Sequence, residues 1–220
     1  NKRTIVYTVA VSLLVLGFIG TFKMRISGSL IEDMPKKAAF YDDIVFFEKE
    51  FDGVMPIEIM IDTKRKKGVM KLTTLKRMDE LQETIDSIPE LSQPISIVNL
   101  VKYSKQAYYN NNPEYYSLPT TQEQTFILSY AKNSVKNSKE NIMKSYVDET
   151  GQYARITTFI KDDGINNIDS IQGKLQAKID EVFPKEKYSV SITGKALVFQ
   201  KGTKYLLENL VESLILSVFI

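Results

Sequence analysis

Apolar and polar positions fall into distinct patterns along the chain. Residues 4–22, TIVYTVAVSLLVLGFIGTF, run for nineteen positions without a charge. As a helix rising about 1.5 Å per residue, that is long enough to cross a hydrocarbon core about 30 Å thick, so the pattern predicts a transmembrane helix. The competing reading is a secretory signal peptide, whose apolar core runs to about 7–15 residues before a small-residue cleavage site; here Lys23, Met24 and Arg25 follow instead. The final stretch, LLENLVESLILSVFI, turns apolar again after Glu208 and Glu212. It predicts the start of a second span, and both ends read as cuts through a longer chain.

Between these ends the periodicity changes repeatedly. In KKAAFYDDIVFFEKEFDG, Phe40, Ile44, Phe47 and Phe51 recur at spacings of four, three and four, one stripe of an amphipathic helix stopped by Gly53. Core packing is the simplest use of that stripe, with a membrane-surface role as the other reading. Residues 54–62, VMPIEIMID, alternate as a half-buried strand does, with Met55, Ile57, Ile59 and Ile61 on one face. A helix is predicted over residues 73–87, with Leu72, Leu75, Met78, Leu81, Ile85 and Ile88 along one side and Pro89 ending it. PISIVNLVKYS follows as a second strand.

The same order returns further on. YVDETGQYARITTFIKD reads as a hairpin turning at Thr150 and Gly151, its second strand at residues 152–161. Next comes a helix with Ile165, Ile168, Ile171, Leu175, Ile179 and Val182 on one face, closed by Pro184, and KYSVSIT is a last strand. Two strand–helix–strand units in tandem predict an α+β fold of the ferredoxin-like split βαβ kind, helices on one face of an antiparallel sheet. The predicted organisation is a transmembrane helix with flanks (1–25), an amphipathic connecting helix (26–53), an extracytoplasmic domain (54–193), and a linker helix leading into the next span (194–220). Within the domain, units 54–103 and 145–193 flank a tyrosine-rich insert, 104–144, with a short helix around residues 122–135.

Composition narrows the chemistry. A net charge of +2 lacks the basic excess of a nucleic-acid binder. Zero cysteines and zero histidines exclude disulfides, thiolate metal sites, cysteine nucleophiles and the commonest general base and metal ligand. No catalytic, cofactor-binding or metal-binding residue is therefore predicted, and the chain reads as a non-enzyme. Lys2 and Arg3 flank one end of the first helix and Lys23 and Arg25 the other, so flanking charge leaves its orientation open; a domain of this length translocates largely regardless of charge.

A membrane helix, the strand FDGVMPIEIMID, the strand YARITTFIKDD, and SVSITGKALVFQKGTKYLLENLVESLILSVFI, in which the ITG strand end passes into a polar helix that turns apolar, together resemble the resistance-nodulation-division (RND) transporters. The likeness is to the short-loop branch of predicted exporters that includes the hopanoid transporters and the mycobacterial membrane protein large (MMPL) family. It covers nearly the whole chain. The resemblance implies a periplasmic porter domain of a multi-pass protein of the bacterial inner membrane, one half of a proton-driven exporter of lipids or other hydrophobic molecules. Implied partners are the bilayer, a hydrophobic or amphiphilic cargo, the other half of the same transporter and, as a further assembly state, a homo-oligomer. The family's proton-relay acids lie in later helices, and no position here matches them. Two other classes share the layout: the extracytoplasmic sensor of a two-helix receptor, and the periplasmic domain of an ABC-type efflux permease.

Within that frame, Tyr108, Tyr109, Tyr115 and Tyr116 are candidate cargo contacts, flat apolar bodies with polar tips suited to an amphiphile; loop packing is the plainer use. Gly194, Leu207, Glu208 and Glu212 are candidate coupling residues, where the last strand passes through a glycine into a helix continuous with the span. Glu208 and Glu212 share a helix face, and with eight uncharged residues after Glu212 they belong at the edge of lipid rather than within it. Lys64, Arg65, Lys66 and Lys67 read as a solvated loop with lipid headgroups as the sharper alternative. The neighbours Asp42 and Asp43, and Asp162 and Asp163, do not share a helix face and carry no acid–base chemistry.

Overall fold

The alternation in VMPIEIMID sets the sheet. In the computed structural model, β1 (Met55–Asp62) buries Met55, Ile57, Ile59 and Ile61, leaving Pro56, Glu58, Met60 and Asp62 half-exposed. The structure describes residues 2–23, 31, 34–136, 142–162 and 167–219, without the side chains at 2, 14, 18, 21–23, 132, 134–136, 218 and 219. Ile165 and Asp163, read above as part of a helix stripe and of an acidic pair, lie outside the described residues. β1 is the central strand. On one side β2 (Tyr153–Ile160) runs antiparallel, with Ile59 opposite Ile156; on the other β3 (Ser189–Thr193) is also antiparallel, with Glu58 opposite Thr193.

Because side chains alternate across a pleated strand, this register puts Ile57, Ile59, Ile61, Ile156 and Ile160 on one face, all buried. α3 (Leu72–Asp86) adds Leu75, Met78, Leu81 and Ile85 to the same core, and α6 (Ile168–Val182) adds Ile171, Leu175, Ile179 and Val182. The Arg77 guanidinium donates to the Val182 carbonyl, and Lys178 pairs with Glu80 at 2.8 Å, joining the two helices at their surface. The opposite face is only half-covered and carries an ion pair between Glu58 and Arg155 at 3.2 Å. The chain is thus a mixed α+β protein with a small three-stranded antiparallel sheet and several helices.

One predicted strand is corrected to a helix. Most of PISIVNLVKYS lies in α4 (Ile97–Tyr108). Ile95, Ile97, Val98 and Val101 are β-branched, but Ser96 decides: it is extended, its hydroxyl accepts the Val98 N–H at 3.0 Å, and the Asn99 side chain accepts the Ser96 N–H at 2.9 Å. This reciprocal cap satisfies donors that a helix start leaves open. The buried positions Ile97, Val98, Val101 and Lys105 then follow helical spacing. Of residues 91–95, Leu91 bridges to Ile160 and Ile95 to Thr157 along the outer edge of β2. The first arm of the expected hairpin likewise contracts to one bridge, Val147 with Ala154, before a turn in which Gly151 has φ +70°.

The predicted core stripe of the connecting helix is also overturned. α2 (Tyr41–Glu50) buries none of its residues, and Phe40, Phe46, Phe47 and Phe51 are 52%, 56%, 50% and 57% exposed. The sheet face is already filled by α3 and α6; of the stripe only Ile44 is half-buried, beside Tyr41, Val45 and Glu48. Glu48 accepts the Asp162 N–H at 2.6 Å, and Asp52 pairs with Lys161 at 3.1 Å. Next to it Gly53, at φ +130°, lies so close to β2 that a Cβ would stand 2.5 Å from the Ile160 carbonyl oxygen.

Two long helices complete the chain. α1 (Lys2–Lys23) exposes Ile5, Val6, Leu13 and Leu16, and α7 (Lys195–Phe219) exposes Leu206, Leu210, Leu214, Ile215 and Leu216. Among the described residues, no helix is long and apolar enough to cross a membrane; the stretch 4–22 contains residues 14, 18, 21 and 22, whose side chains are outside that set.

Candidate functional site

The tyrosine-rich insert folds as a helical hairpin. α4 packs against α5 (Gln124–Lys136), burying Val101, Ile127 and Ala131, and a 3₁₀ turn at Pro113–Tyr115 lies between them. Asn110 and Asn111, at φ 55° and 60°, reverse the chain after α4; asparagine tolerates this left-handed region better than most residues.

A buried polar cluster pins the hairpin. The ammonium of Lys105 sits 3.0 Å from Glu123, with side chains 8% and 16% exposed, and donates to Ser117 Oγ and the Leu118 carbonyl. Glu123 also accepts the Thr120 N–H at 2.8 Å and the Tyr109 hydroxyl at 2.9 Å. The Thr120 backbone N–H chiefly, with Lys105 and Tyr109, outweighs burial and holds the Glu123 carboxyl down to about 2. The same bond to the carboxylate raises the Tyr109 phenol above its usual value. Each charge is therefore met by several partners, which is the condition for burying an ion pair.

Around this anchor the rings form a platform. Tyr109 stacks on Tyr115 with centroids 4.2 Å apart and planes 17° apart, and Tyr108 meets Tyr109 and Tyr130 edge-on at 5.3 Å and 5.6 Å and lies tilted against Phe126 at 5.2 Å. Tyr108, Tyr115, Phe126 and Tyr130 remain partly exposed. Three of the four tyrosines singled out in the sequence are thus brought together. The fourth, Tyr116, packs instead on Tyr103 at 4.7 Å, under Lys102, and burial raises its phenol. Sequence reasoning missed Phe126 and Tyr130, whose four-residue spacing on one helix was the available signal, and the Lys105–Glu123 pair. Chemically the platform offers flat apolar area with hydroxyl tips; its carboxylate is locked by hydrogen bonds.

The second group lies where the sheet ends. Gly194 has φ +122°, and a Cβ there would run into the Pro56 carbonyl oxygen. Both conditions demand glycine. α7 begins immediately, the Val198 N–H reaching the Gly194 carbonyl at 3.2 Å, and only its first turns are seated: Ala196 and Leu197 are buried and Phe199 is packed against the core. Leu207 is half-exposed, and Glu208 and Glu212 are exposed. The remaining named groups behave simply. Lys64–Lys67 are exposed on a tight loop fastened by bonds from the Lys64 N–H to Asp62 and from the Lys67 N–H to Thr150, and Asp42 and Asp43 are exposed in the first turn of α2.

No family model matches this chain, and no curated protein matches it in sequence.

Proposed function

We propose that the chain is the extracytoplasmic, porter-type domain of an RND-type exporter, carried between two membrane helices and passing a lipid or other hydrophobic cargo across its tyrosine platform. The observation that carries this reading is the pair of apolar helices joined to one end of the domain. β3 is antiparallel to β1, so α7 leaves where β1 begins. The chain arriving from α1 reaches that same end, where the Ile31 N–H donates to Asp162 just beyond β2. Polar side chains on both helices bond to their own backbone: Thr8 to the Thr4 carbonyl, Asn209 to Tyr205, Ser213 to Asn209 and Ser217 to Leu214. Such internal satisfaction is what a helix needs where no water is available.

The sheet supports the ferredoxin-like reading. β2, α6 and β3 form a crossover split by β1, and the bridges of Leu91 and Ile95 occupy the place of a fourth strand beside β2. Alkaline phosphatase fused after Thr121, in an exposed loop, should be active in bacteria, since that enzyme matures only outside the cytoplasm; well-expressed but inactive fusions would overturn the topology. Tyr108→Ala with Tyr115→Ala should lower export of a lipophilic dye by the intact transporter at unchanged membrane level. Unchanged export would remove the platform from the cargo path.

A further inference from the structure

We propose that α2 is an interfacial foot, lying along the membrane surface with its phenylalanines in the boundary between headgroups and acyl chains. The inference rests on the membrane reading above and adds to it a lipid-contacting site outside the two spans. α2 turns two of its phenylalanines, Phe46 and Phe47, outward while Ile44 and Val45 are half-buried. Its half-buried side, Tyr41, Ile44, Val45 and Glu48, faces the domain, with Glu48 accepting the Asp162 N–H and, just past the helix end, Asp52 pairing with Lys161. Phe46, Phe47 and Phe51 form one outward cluster, with centroids 5.2–6.4 Å apart, and Phe40 is exposed as well. Four exposed phenylalanines on a short segment are costly in water, where a ring has no polar tip to be hydrated.

The position of the cluster identifies what covers it. Asp162 and Lys161 follow directly on β2, whose last residue, Ile160, stands opposite Met55 at the start of β1. Gly194, from which α7 departs, lies against Pro56 at that end, and Ile31 arrives there from α1. α2, the start of α7 and Ile31, on the chain that comes from α1, therefore meet at one pole of the domain, while the opposite end of β1 leads into the exposed Lys64–Lys67 loop. A bilayer that receives α1 and α7 meets α2 next. The exposed charges around the rings cancel, Lys36, Lys37 and Lys49 against Asp42, Asp43 and Glu50, so insertion is driven by apolar contact with zwitterionic lipid and is insensitive to salt.

The chain has no tryptophan, so one introduced at an exposed position reports its own surroundings. Phe47→Trp and Leu16→Trp, each in the full chain reconstituted in phosphatidylcholine vesicles, are read against lipids brominated near the headgroup or near the bilayer centre. The expected result is blue-shifted emission from Phe47→Trp with about a twofold loss to the shallow bromines, as burial about 5–10 Å into the interface requires, unchanged by salt, and loss from Leu16→Trp to the deep ones. If Leu16→Trp is quenched and Phe47→Trp is not, the foot is overturned while the span stands; blue-shifted but unquenched emission would mean that protein, such as a second copy of the chain, covers the rings instead. Quenching of Phe47→Trp alone keeps the interfacial helix and removes the span. If neither is quenched, both readings fall.

Discussion

Two aromatic regions of this molecule have opposite fates. On the α4–α5 hairpin the rings are mostly tyrosines, gathered around a buried Lys105–Glu123 pair, and one hydroxyl is spent on the carboxylate. Along α2 the exposed rings are phenylalanines, while Glu48 and, just past the helix, Asp52 tie to Asp162 and Lys161 of the domain. A hydroxyl lets a ring be held and still remain partly wet, whereas a phenyl ring has only packing to offer. The hairpin therefore completes its platform from within, and α2 leaves its own apolar edge to be met from outside. Residue type, more than aromatic density, separates a built surface from an uncovered one.

The comparison breaks most readily at Glu123. Glu123→Ala leaves the buried Lys105 ammonium with only the neutral oxygens of Ser117 and Leu118, and stranding a buried charge costs about 3 kcal/mol or more; urea unfolding followed by circular dichroism should show that loss. Acid should act on the same group. Its folded pKa of about 2 lies below the ordinary 4.5, so its stabilisation is complete above about 4.5 and is lost as pH falls toward 2. Burial pushes the Asp148 carboxyl up, but hydrogen bonds from Thr150, Tyr153 and Gln152 hold it lower overall, so it titrates in the same direction. The acid sensitivity missing from Glu123→Gln, relative to the unaltered chain, measures the share of Glu123.

A smaller change is expected for Tyr109→Phe, which removes one of several partners of the carboxylate. The Glu123 pKa measured by carboxyl NMR should rise while remaining below 4.5, and the stability loss should be well under that of Glu123→Ala. Least of all, Phe46→Ser with Phe47→Ser should leave unfolding in detergent within about 0.5 kcal/mol of the unaltered chain, as for surface positions generally. A large loss there would mean that α2 packs on the fold after all, and the contrast between the two regions would vanish.

Much of the core was legible from periodicity. The period-two run of β1 and the helical stripes of α3 and α6 bury the described residues expected of them, because each had a strong pattern and the two helices a proline just past the end. Residues 94–104 failed because β-branched side chains suggest a strand, while a local contest between Ser96 and Asn99 decides for a helix. The serine three residues before a side chain able to reach back was the readable sign. In α2 the spacing disclosed an apolar edge but not the direction it faces, which depends on Glu48 and Asp52 finding residues more than a hundred positions away. The split of Tyr116 from Tyr115 falls at the end of the 3₁₀ turn Pro113–Tyr115, which sends adjacent rings to Tyr103 and Tyr109 respectively, a choice that neighbouring tyrosines in a sequence do not reveal.

The antiparallel run of β3 beside β1 has a further consequence. A chain that leaves a sheet at the end where it came in makes the whole α+β body a detour, an excursion inserted in what is otherwise a continuation from one helix to another. Units whose ends emerge together can be exchanged, enlarged or removed without re-spacing whatever holds those ends. The body from residue 31 through Phe199, which keeps the seated first turns of α7, is therefore transplantable: grafted into the loop of an unrelated helical pair, it should fold unaided.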